Sequence, residues 1–124
     1  MAEKKKVFEV VQDAATVIVI PQGDTVSFRY NDIHLESNRI LRLLDDASVK
    51  NVIIDFGDTN YASSVVIGAL IRVARKATNQ GGQSVICSVT ERMRDILTTM
   101  NLFQLWPSHS TREEALAALA ESRS

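Results

Sequence analysis

Two adjacent serines, Ser63 and Ser64, hold the position in this sequence that is best suited to chemistry or to regulation. They follow the polar residues 57–61 and precede a long apolar stretch, which predicts a loop that leads into a helix. A serine just before a helix accepts a hydrogen bond from an N–H group of the first turn. A phosphate on the same oxygen would place about −1.5 to −2 charges beside a helix end that favours anions. Ser63 is therefore either a structural cap or a phosphoacceptor, and the residues alone leave both uses open.

Nucleophilic catalysis by Ser63 would need a neighbouring base and an acid that orients the base. The sequence has two histidines, His34 and His109, with no motif around either, and the Gly-x-Ser-x-Gly pattern of hydrolases is absent. The glycine-rich patterns that bind nucleotide phosphates are absent as well. We therefore predict a protein that is not an enzyme, with no catalytic residues and no cofactor.

Asp55 and Asp58 are close in sequence and could suggest a pair of metal ligands. The residues between them are phenylalanine and glycine, and no further acidic residue lies nearby to complete a set of oxygen ligands. The pattern favours a structural role at the end of a strand, and we predict no metal site.

Length and charge limit the classes of partner. The chain has 124 residues, of which 45% are hydrophobic, and this fits one compact domain. A net charge of −1 creates no field that would attract nucleic acid or an anionic membrane, so neither is expected as a partner. No run approaches the roughly 20 apolar residues of a membrane-spanning helix, and no signal peptide is recognised. The basic run at residues 4–6 predicts a flexible tail over residues 1–6.

Cys87 is the single cysteine and lies in an apolar run. This predicts a buried, unreactive thiol. One cysteine without zinc-type spacing fits a reducing compartment, so we expect a cytoplasmic protein.

Short apolar runs predict the strands. Two β-branched runs, at residues 7–11 and 16–20, predict an antiparallel hairpin. Continuous apolar runs at residues 52–56 and 85–89 are typical of buried parallel strands. We expect the stretch after residue 100 to lead into a last short strand that Pro107 closes.

Apolar residues at helical spacing predict four helices. The first begins near residue 32, after an ambiguous segment, and the second covers residues 64–78. The third follows a Thr90 cap, and the fourth covers about residues 111–121 after a capping box at Ser110 and Glu113. The residues expected to face the core are Ile33, Ile40, Leu43, Leu44, Val65, Val66, Ile67, Leu70, Ile71, Val73, Ala74, Met93, Ile96, Leu97, Met100, Leu116 and Leu119.

The order of these signals resembles the STAS domain. The matching features are a hairpin, the pair Gly23-Asp24, a strand that ends in Asp55, and a loop that leads to paired serines before an apolar helix. A Gly-Gly pair before a strand with a cysteine, and a helix that ends in Met100-Asn-Leu-Phe, match as well. The resemblance implies a single α/β domain over residues 7–121. Its mixed β-sheet would have a parallel centre and an N-terminal antiparallel hairpin, with about four helices packed on it.

The resemblance also implies a function. In the anti-sigma factor antagonists of this family, a partner kinase phosphorylates the first serine of an Asp-Ser-Ser/Thr-Gly motif. Ser63 takes that position, with Ser64 as the second choice. Ala62 and Val65 depart from the motif, because they replace its acidic residue and its glycine.

The implied protein is a regulatory module that binds an anti-sigma factor or a serine protein kinase and is switched by phosphorylation at Ser63. A phosphatase is a further implied partner. Within the second helix, Ser64, Gly68 and Arg72 line up at four-residue spacing, which favours a docking face, although Gly68 could equally serve close packing inside the domain. The expected partner-binding residues are Asp24, Asp58, Asn60, Tyr61, Ser63, Ser64, Gly68 and Arg72.

Two alternative functions stay open. One is a STAS scaffold that binds its partners independently of phosphorylation. The other is a module that binds a small ligand or a nucleotide beside Asp58, Asn60 and Ser63. The N-terminal strand could also pair with a second copy along an exposed edge, which would give a weak homodimer.

Overall fold

A five-stranded sheet of order β1-β2-β3-β4-β5 forms the centre of the protein across the residues that the computed structural model describes, 6–23 and 28–121. The strands are Phe8–Asp13 (β1), Thr16–Pro21 (β2), Asn51–Asp55 (β3), Ser84–Cys87 (β4) and Ser108–His109 (β5). The helices are Tyr30–Leu43 (α1), Ser64–Asn79 (α2), Glu91–Thr99 (α3) and Arg112–Glu121 (α4), with a short 3-10 helix at Leu102–Gln104.

The sheet is mixed, as the sequence predicts. β1 and β2 are antiparallel, and every other neighbouring pair is parallel. A two-residue turn joins the hairpin, and Ala14 in this turn has a φ of 52°, in the left-handed region that such tight turns require. The predicted α/β fold is therefore confirmed, with its hairpin, its parallel centre and, in the described part of the chain, four α-helices.

Alternate strand residues build two separate cores. On one face, Val19, Ile54 and Ile86 pack with α1, α2 and α3, and the buried Trp106 belongs to the same cluster. On the other face, Ile53 and its neighbours pack against α4 alone. This alternation follows from the two-residue period of a strand. The first face is the thicker layer because three of the described helices pack on it, whereas one packs on the second.

The centre of the sheet leads directly to the serine pair. Every residue of β3 is buried, because β2 and β4 flank it and helices cover both of its faces. Parallel strands end at the same edge of a sheet, so the loop after Asp55 emerges at that edge and runs into α2. The end of β3 thereby fixes where the serines lie.

Two glycines end α2 in a Schellman motif. The N–H of Gly81 donates to Thr78 O at 3.1 Å, and the N–H of Gly82 donates to Ala77 O at 2.9 Å. Gly81 has a φ of 88°, which favours glycine. A Cβ on Gly82 would lie 1.6 Å from the carbonyl oxygen of Lys50, so the chain passes too close here for any side chain.

The last strand differs from the prediction. It follows Pro107 instead of ending at it, and residues 102–104 form the short 3-10 helix. Asn101 has a φ of 62°, which turns the chain out of α3, and the carbonyl of Pro107 accepts a hydrogen bond from the N–H of Ile86 at 2.9 Å. A proline needs no N–H partner at the start of an edge strand, so Pro107 begins the pairing with β4.

The capping box of α4 lies one residue later than predicted. Thr111 Oγ1 accepts from the N–H of Glu114 at 3.1 Å, and the Glu114 carboxylate accepts from the N–H of Ser110 at 3.2 Å. The first bond of the capping box is therefore present, with Thr111 as the cap and Glu114 in the role assigned to Glu113, while the returning carboxylate reaches the residue before the cap.

Three residues predicted to face the core are exposed: Leu43 at 40%, Val65 at 38% and Met100 at 42%. Each lies within a residue of a helix end, where the neighbouring elements no longer cover the full circumference of the helix. The described helices include none with the length and apolar content needed to cross a membrane.

Candidate functional site

The serine pair lies at the start of α2, at the carboxyl edge of the sheet. Ser63 is the N-cap, with φ −69° and ψ 163°, and its Oγ accepts from the N–H of Val66 at 3.3 Å. Ser63 is half-buried, while Ser64, the first residue of the helix, is exposed. The structure therefore confirms the predicted cap, which satisfies one of the N–H groups that have no partner within the helix.

The first turns of α2 and α3 differ in their charged residues. Thr90 caps α3 in nearly the same way, with φ −73°, ψ 163° and a bond of 3.2 Å from the N–H of Met93. The first turn of α3 carries Glu91, whereas the first turn of α2 carries no acidic residue. The partial positive charge at the start of α2 is therefore not offset from within its own first turn, and a new anion there would be stabilised.

Ala62, which departs from the family motif, is only 4% exposed and packs in the main core. A carboxylate at that depth would lose solvation unless a partner compensated it. The small apolar residue fits this local environment, and it leaves Ser63 as the first polar side chain of the junction.

The loop before the serines is held by the segment that follows β2. The Thr59 hydroxyl donates a hydrogen bond to the carbonyl of Gly23 and lies 2.8 Å from the carbonyl of Tyr61. The N–H of Gly23 donates to Asp58 O at 3.0 Å. These contacts hold Gly23, which follows β2, beside the loop. Asp24, a predicted partner-binding residue, comes next in the chain and lies outside the described residues.

Asp55 serves the structure of the strand end. Its Oδ1 accepts from the N–H of Gly57 at 2.8 Å, and its Oδ2 accepts from Arg112 Nε at 3.0 Å. Asp58 has a different partner from Asp55, because its carboxylate lies 3.5 Å from the side-chain nitrogen of Gln22. The structural role predicted for Asp55 agrees with these contacts, and no cluster of three or more potential metal ligands occurs in the described part of the chain.

Cys87, beside Asp55 at the end of β4, is fully buried, as predicted. Burial in apolar surroundings raises the pKa of its thiol to about 11, so the thiol is protonated at neutral pH. A protonated thiol is a poor nucleophile, which is consistent with a packing role.

A shallow groove between α1 and α2 brings part of the predicted docking face together. Its volume is about 170 Å³. The residues that line it are Tyr30, Ile33, His34, Ser64, Val65, Gly68 and Arg72. The predicted stripe of Ser64, Gly68 and Arg72 is therefore continuous along one wall.

Gly68 leaves room for the Arg72 side chain. A Cβ built on Gly68 would meet only Arg72 Nη1, at 4.0 Å, so the guanidinium folds back along α2 toward its start. Nothing else in the described structure comes within that distance, which argues against close internal packing as the reason for this glycine. The glycine instead keeps the groove wall open beside the exposed Ser64.

The opposite wall was not predicted from the sequence. Tyr30 and His34 stack with ring centroids 6.0 Å apart, and Tyr30 is 64% exposed. A helix that begins at Tyr30, two residues before the predicted start, places the two rings one turn apart. Asn60 and Tyr61 are also exposed, but they lie on the loop and do not line this groove.

Comparison with known proteins places this geometry in a family. Residues 7–115 match the STAS domain, which confirms the resemblance. BtrV of Bordetella bronchiseptica, named as a candidate anti-sigma factor antagonist, is 26% identical over 73 residues. That match covers 59% of this chain and 63% of BtrV, less than two thirds of the relative.

Solved structures share the fold. The unphosphorylated form of the anti-sigma factor antagonist SpoIIAA superposes with a TM-score of 0.77 and 16% identity, over 92% of this chain and 96% of its own. The phosphorylated form of SpoIIAA from Bacillus gives a TM-score of 0.69 and 17% identity, over 90% and 97% of the two chains. At such identities the likeness concerns the fold alone, whereas the family match extends over most of the sequence, and the chain belongs to the STAS domain family.

Proposed function

We propose that this chain is a cytoplasmic, non-catalytic regulatory module of the anti-sigma factor antagonist type. It binds an anti-sigma factor or a serine protein kinase through the surface around the start of α2, and phosphorylation of Ser63 releases it. A phosphatase reverses the modification. The observation that carries this proposal is Ser63 as the cap of a helix whose first turn contains no acidic residue.

The start of α2 can hold a phosphate without rebuilding the fold. A phosphate on Ser63 would keep an oxygen acceptor near the first-turn N–H groups and add charge where the helix dipole favours it. The likeness of this chain to both the unphosphorylated and the phosphorylated form of SpoIIAA supports a fold that persists through such a change.

Release follows from the altered surface. An unmodified serine presents a small neutral group to a partner, whereas a phosphoserine presents a strongly hydrated anion. Burying that anion against a partner without a matching cation costs several kcal/mol, which is enough to abolish a typical signalling interaction. The switch therefore needs no large movement of the domain.

The surface around Ser63 suits a partner because it is exposed and already ordered. Asp58, Asn60 and Tyr61 are exposed on the loop, and Tyr61 shows 44% of its surface. The hydrogen bonds of the buried Thr59 hold the loop backbone from beneath. A surface held in place loses less conformational entropy on binding.

We infer that the domain extends from residue 7 to residue 121. The family match ends at residue 115, but Leu119 is 2% exposed and belongs to the second core. The groove beside Ser64, at about 170 Å³, is smaller than the roughly 300–1,000 Å³ of typical small-molecule sites, and Asp58, Asn60 and Ser63 do not line it, so this groove does not support the alternative of a nucleotide site at those residues.

The experiment uses the serine kinase of the anti-sigma class encoded nearest to this chain's gene. The purified chain is incubated with that kinase and ATP, and the modified residue is mapped by mass spectrometry. We expect phosphate on Ser63. Calorimetry should then show that Ser63→Asp binds the kinase at least about 30-fold more weakly than wild type, which corresponds to about 2 kcal/mol.

Ser63→Ala is the matched control, and it should bind within about threefold of wild type because it adds no charge. If phosphate were found on Ser64 alone, Ser64 instead of Ser63 would be the regulatory phosphoacceptor. Unimpaired binding by both Ser63→Asp and Ser64→Asp would replace the switch with a scaffold that acts independently of phosphorylation.

A further inference from the structure

The outer edge of β1 is open along the middle of the strand. β1 lies at the end of the strand order, with β2 as its one neighbour in the described sheet. Val7 O accepts from the N–H of Gln22 at 2.9 Å, so the odd-numbered residues of β1 direct their backbone groups toward β2. Phe8, Val10 and Gln12 therefore direct theirs outward.

One end of this edge is already closed. The Glu36 carboxylate, on α1, accepts from the N–H of Val7 at 2.9 Å and from the N–H of Phe8 at 3.0 Å. Among residues 6–23 and 28–121, the outward N–H groups of β1 that stay available belong to Val10 and Gln12. An open edge of this kind is a template for another strand.

An apolar groove lies beside the same edge. It has a volume of about 570 Å³ and runs between β1 and α1. Val10, Leu35 and Leu43 line it, and they are 37%, 56% and 40% exposed. The open hydrogen-bonding groups and the exposed apolar side chains are therefore next to each other, as in a strand-pairing interface.

We propose that this edge binds a second copy of the same chain, with the two β1 strands antiparallel and Val10 facing Val10 across a two-fold axis. The sheets of the two copies would then join into one. This inference does not depend on the proposed phosphorylation switch.

Charge argues against the two neighbouring registers. A two-fold axis perpendicular to the sheet must pass midway between one residue and the same residue of the other copy, because directly opposite residues project from the same face of the sheet. An axis at Glu9 would set the two copies of Glu9 opposite each other, and an axis at Val11 would set Glu9 opposite Asp13 of the second copy. An axis at Val10 sets Glu9 opposite Val11 and opposes no like charges.

The same register uses the available backbone groups. The two Val10 residues exchange N–H and C=O bonds, and the N–H of Gln12 reaches the carbonyl of Phe8 in the other copy. The N–H of Phe8 stays with Glu36, so the pairing is short and the dimer weak.

The charge pattern of α1 also fits a second copy. Asp32 and Glu36 lie in the first half of the helix, and Arg39 and Arg42 lie in the second half. The two-fold axis makes the two α1 helices antiparallel on the same face of the joined sheet. Acidic and basic halves then lie opposite each other, above the apolar side chains of the two grooves.

A cysteine cross-link tests both the dimer and its register. Val10→Cys and Val11→Cys are matched, because Val10 and Val11 are each 37% exposed and project from opposite faces of β1. In the proposed dimer the two Val10 positions face each other within reach of a disulfide, whereas the two Val11 positions are offset by two residues. We expect Val10→Cys to cross-link at least about tenfold faster under mild oxidation. Equal rates, or a faster Val11→Cys, would overturn the register.

Sedimentation tests the association itself. The mass of wild type should rise from that of one chain toward that of two as its concentration approaches the millimolar range, and Val10→Lys should remain a single chain because it opposes two lysines. Val11→Lys is the control, since it places lysine opposite Glu9 and should retain the dimer. A single-chain mass for wild type at every concentration, or dimerisation by a folded Val10→Lys, would overturn the proposal. If Val10→Lys fails to fold by circular dichroism, the cross-linking comparison decides.

Discussion

The start and the end of α2 are held by different kinds of contact. At the start, one side-chain oxygen of Ser63 accepts one backbone N–H at the edge of the sheet. At the end, the backbone of Gly82 passes so close to Lys50 that even a methyl group does not fit. A chemical group can be added at the start while the core stays intact, whereas the end tolerates none, so one helix combines an adaptable terminus with a fixed one.

The largest expected effect comes from filling the fixed end. Gly82→Ala would push its Cβ to within 1.6 Å of Lys50 O, which forces the backbone to move. We expect the free energy of unfolding to fall by more than about 3 kcal/mol, measured by urea denaturation. A loss no greater than that of Gly81→Ala would show that the close approach does not fix this terminus.

Gly81→Ala should have a smaller effect, because no atom lies within 4 Å of its added Cβ. The φ of this residue is 88°, and placing an L-residue in that left-handed conformation costs about 1–2 kcal/mol. Gly81→Asn should recover part of the loss, since asparagine tolerates the left-handed region better than alanine. Thermal unfolding of the two variants gives the comparison, and equal stability of alanine and asparagine would contradict the backbone explanation.

At the adaptable end, Ser63→Ala should lower the free energy of unfolding by about 1 kcal/mol, because the N–H of Val66 loses its acceptor. Thr90→Ala removes the same kind of cap from α3 and should cost a similar amount. Chemical denaturation of the single and double variants should show additive losses. A negligible loss from Ser63→Ala alone would mean that this oxygen does not stabilise the helix.

The smallest effect is expected from Ser64→Ala. The side chain of Ser64 is exposed at the first position of α2, so the free energy of unfolding should change by less than about 0.5 kcal/mol. The same denaturation measurement serves, with Ser63→Ala as the reference. A loss larger than that of Ser63→Ala would reverse the roles assigned to the two serines.

The features that the sequence predicted correctly are mostly local. Ser63 and Thr90 are caps because the hydroxyl of each meets an N–H three residues further along the chain. The continuous apolar runs at residues 52–56 and 85–89 predicted the two central strands, because a strand buried on both faces is apolar at successive positions.

The features that were missed depend on residues far apart in sequence. Glu36 binds the start of β1, which lies 28 and 29 residues earlier, and Thr59 binds Gly23, 36 residues earlier. No local pattern announces such contacts, because their geometry exists only after the sheet has formed. The wall made by Tyr30 and His34 was missed because the start of α1 was placed two residues late.

The single tryptophan gives the protein a built-in optical probe. Trp106 is 1% exposed in the core formed with α1, α2 and α3, and it lies outside the groove that contains Ser64. Its fluorescence should therefore report whether that core is packed, and it should change little when a partner docks or when the surface serine is modified. A variant that loses binding but keeps the native emission spectrum would be defective in recognition, and one spectrum would distinguish it from a variant that has unfolded.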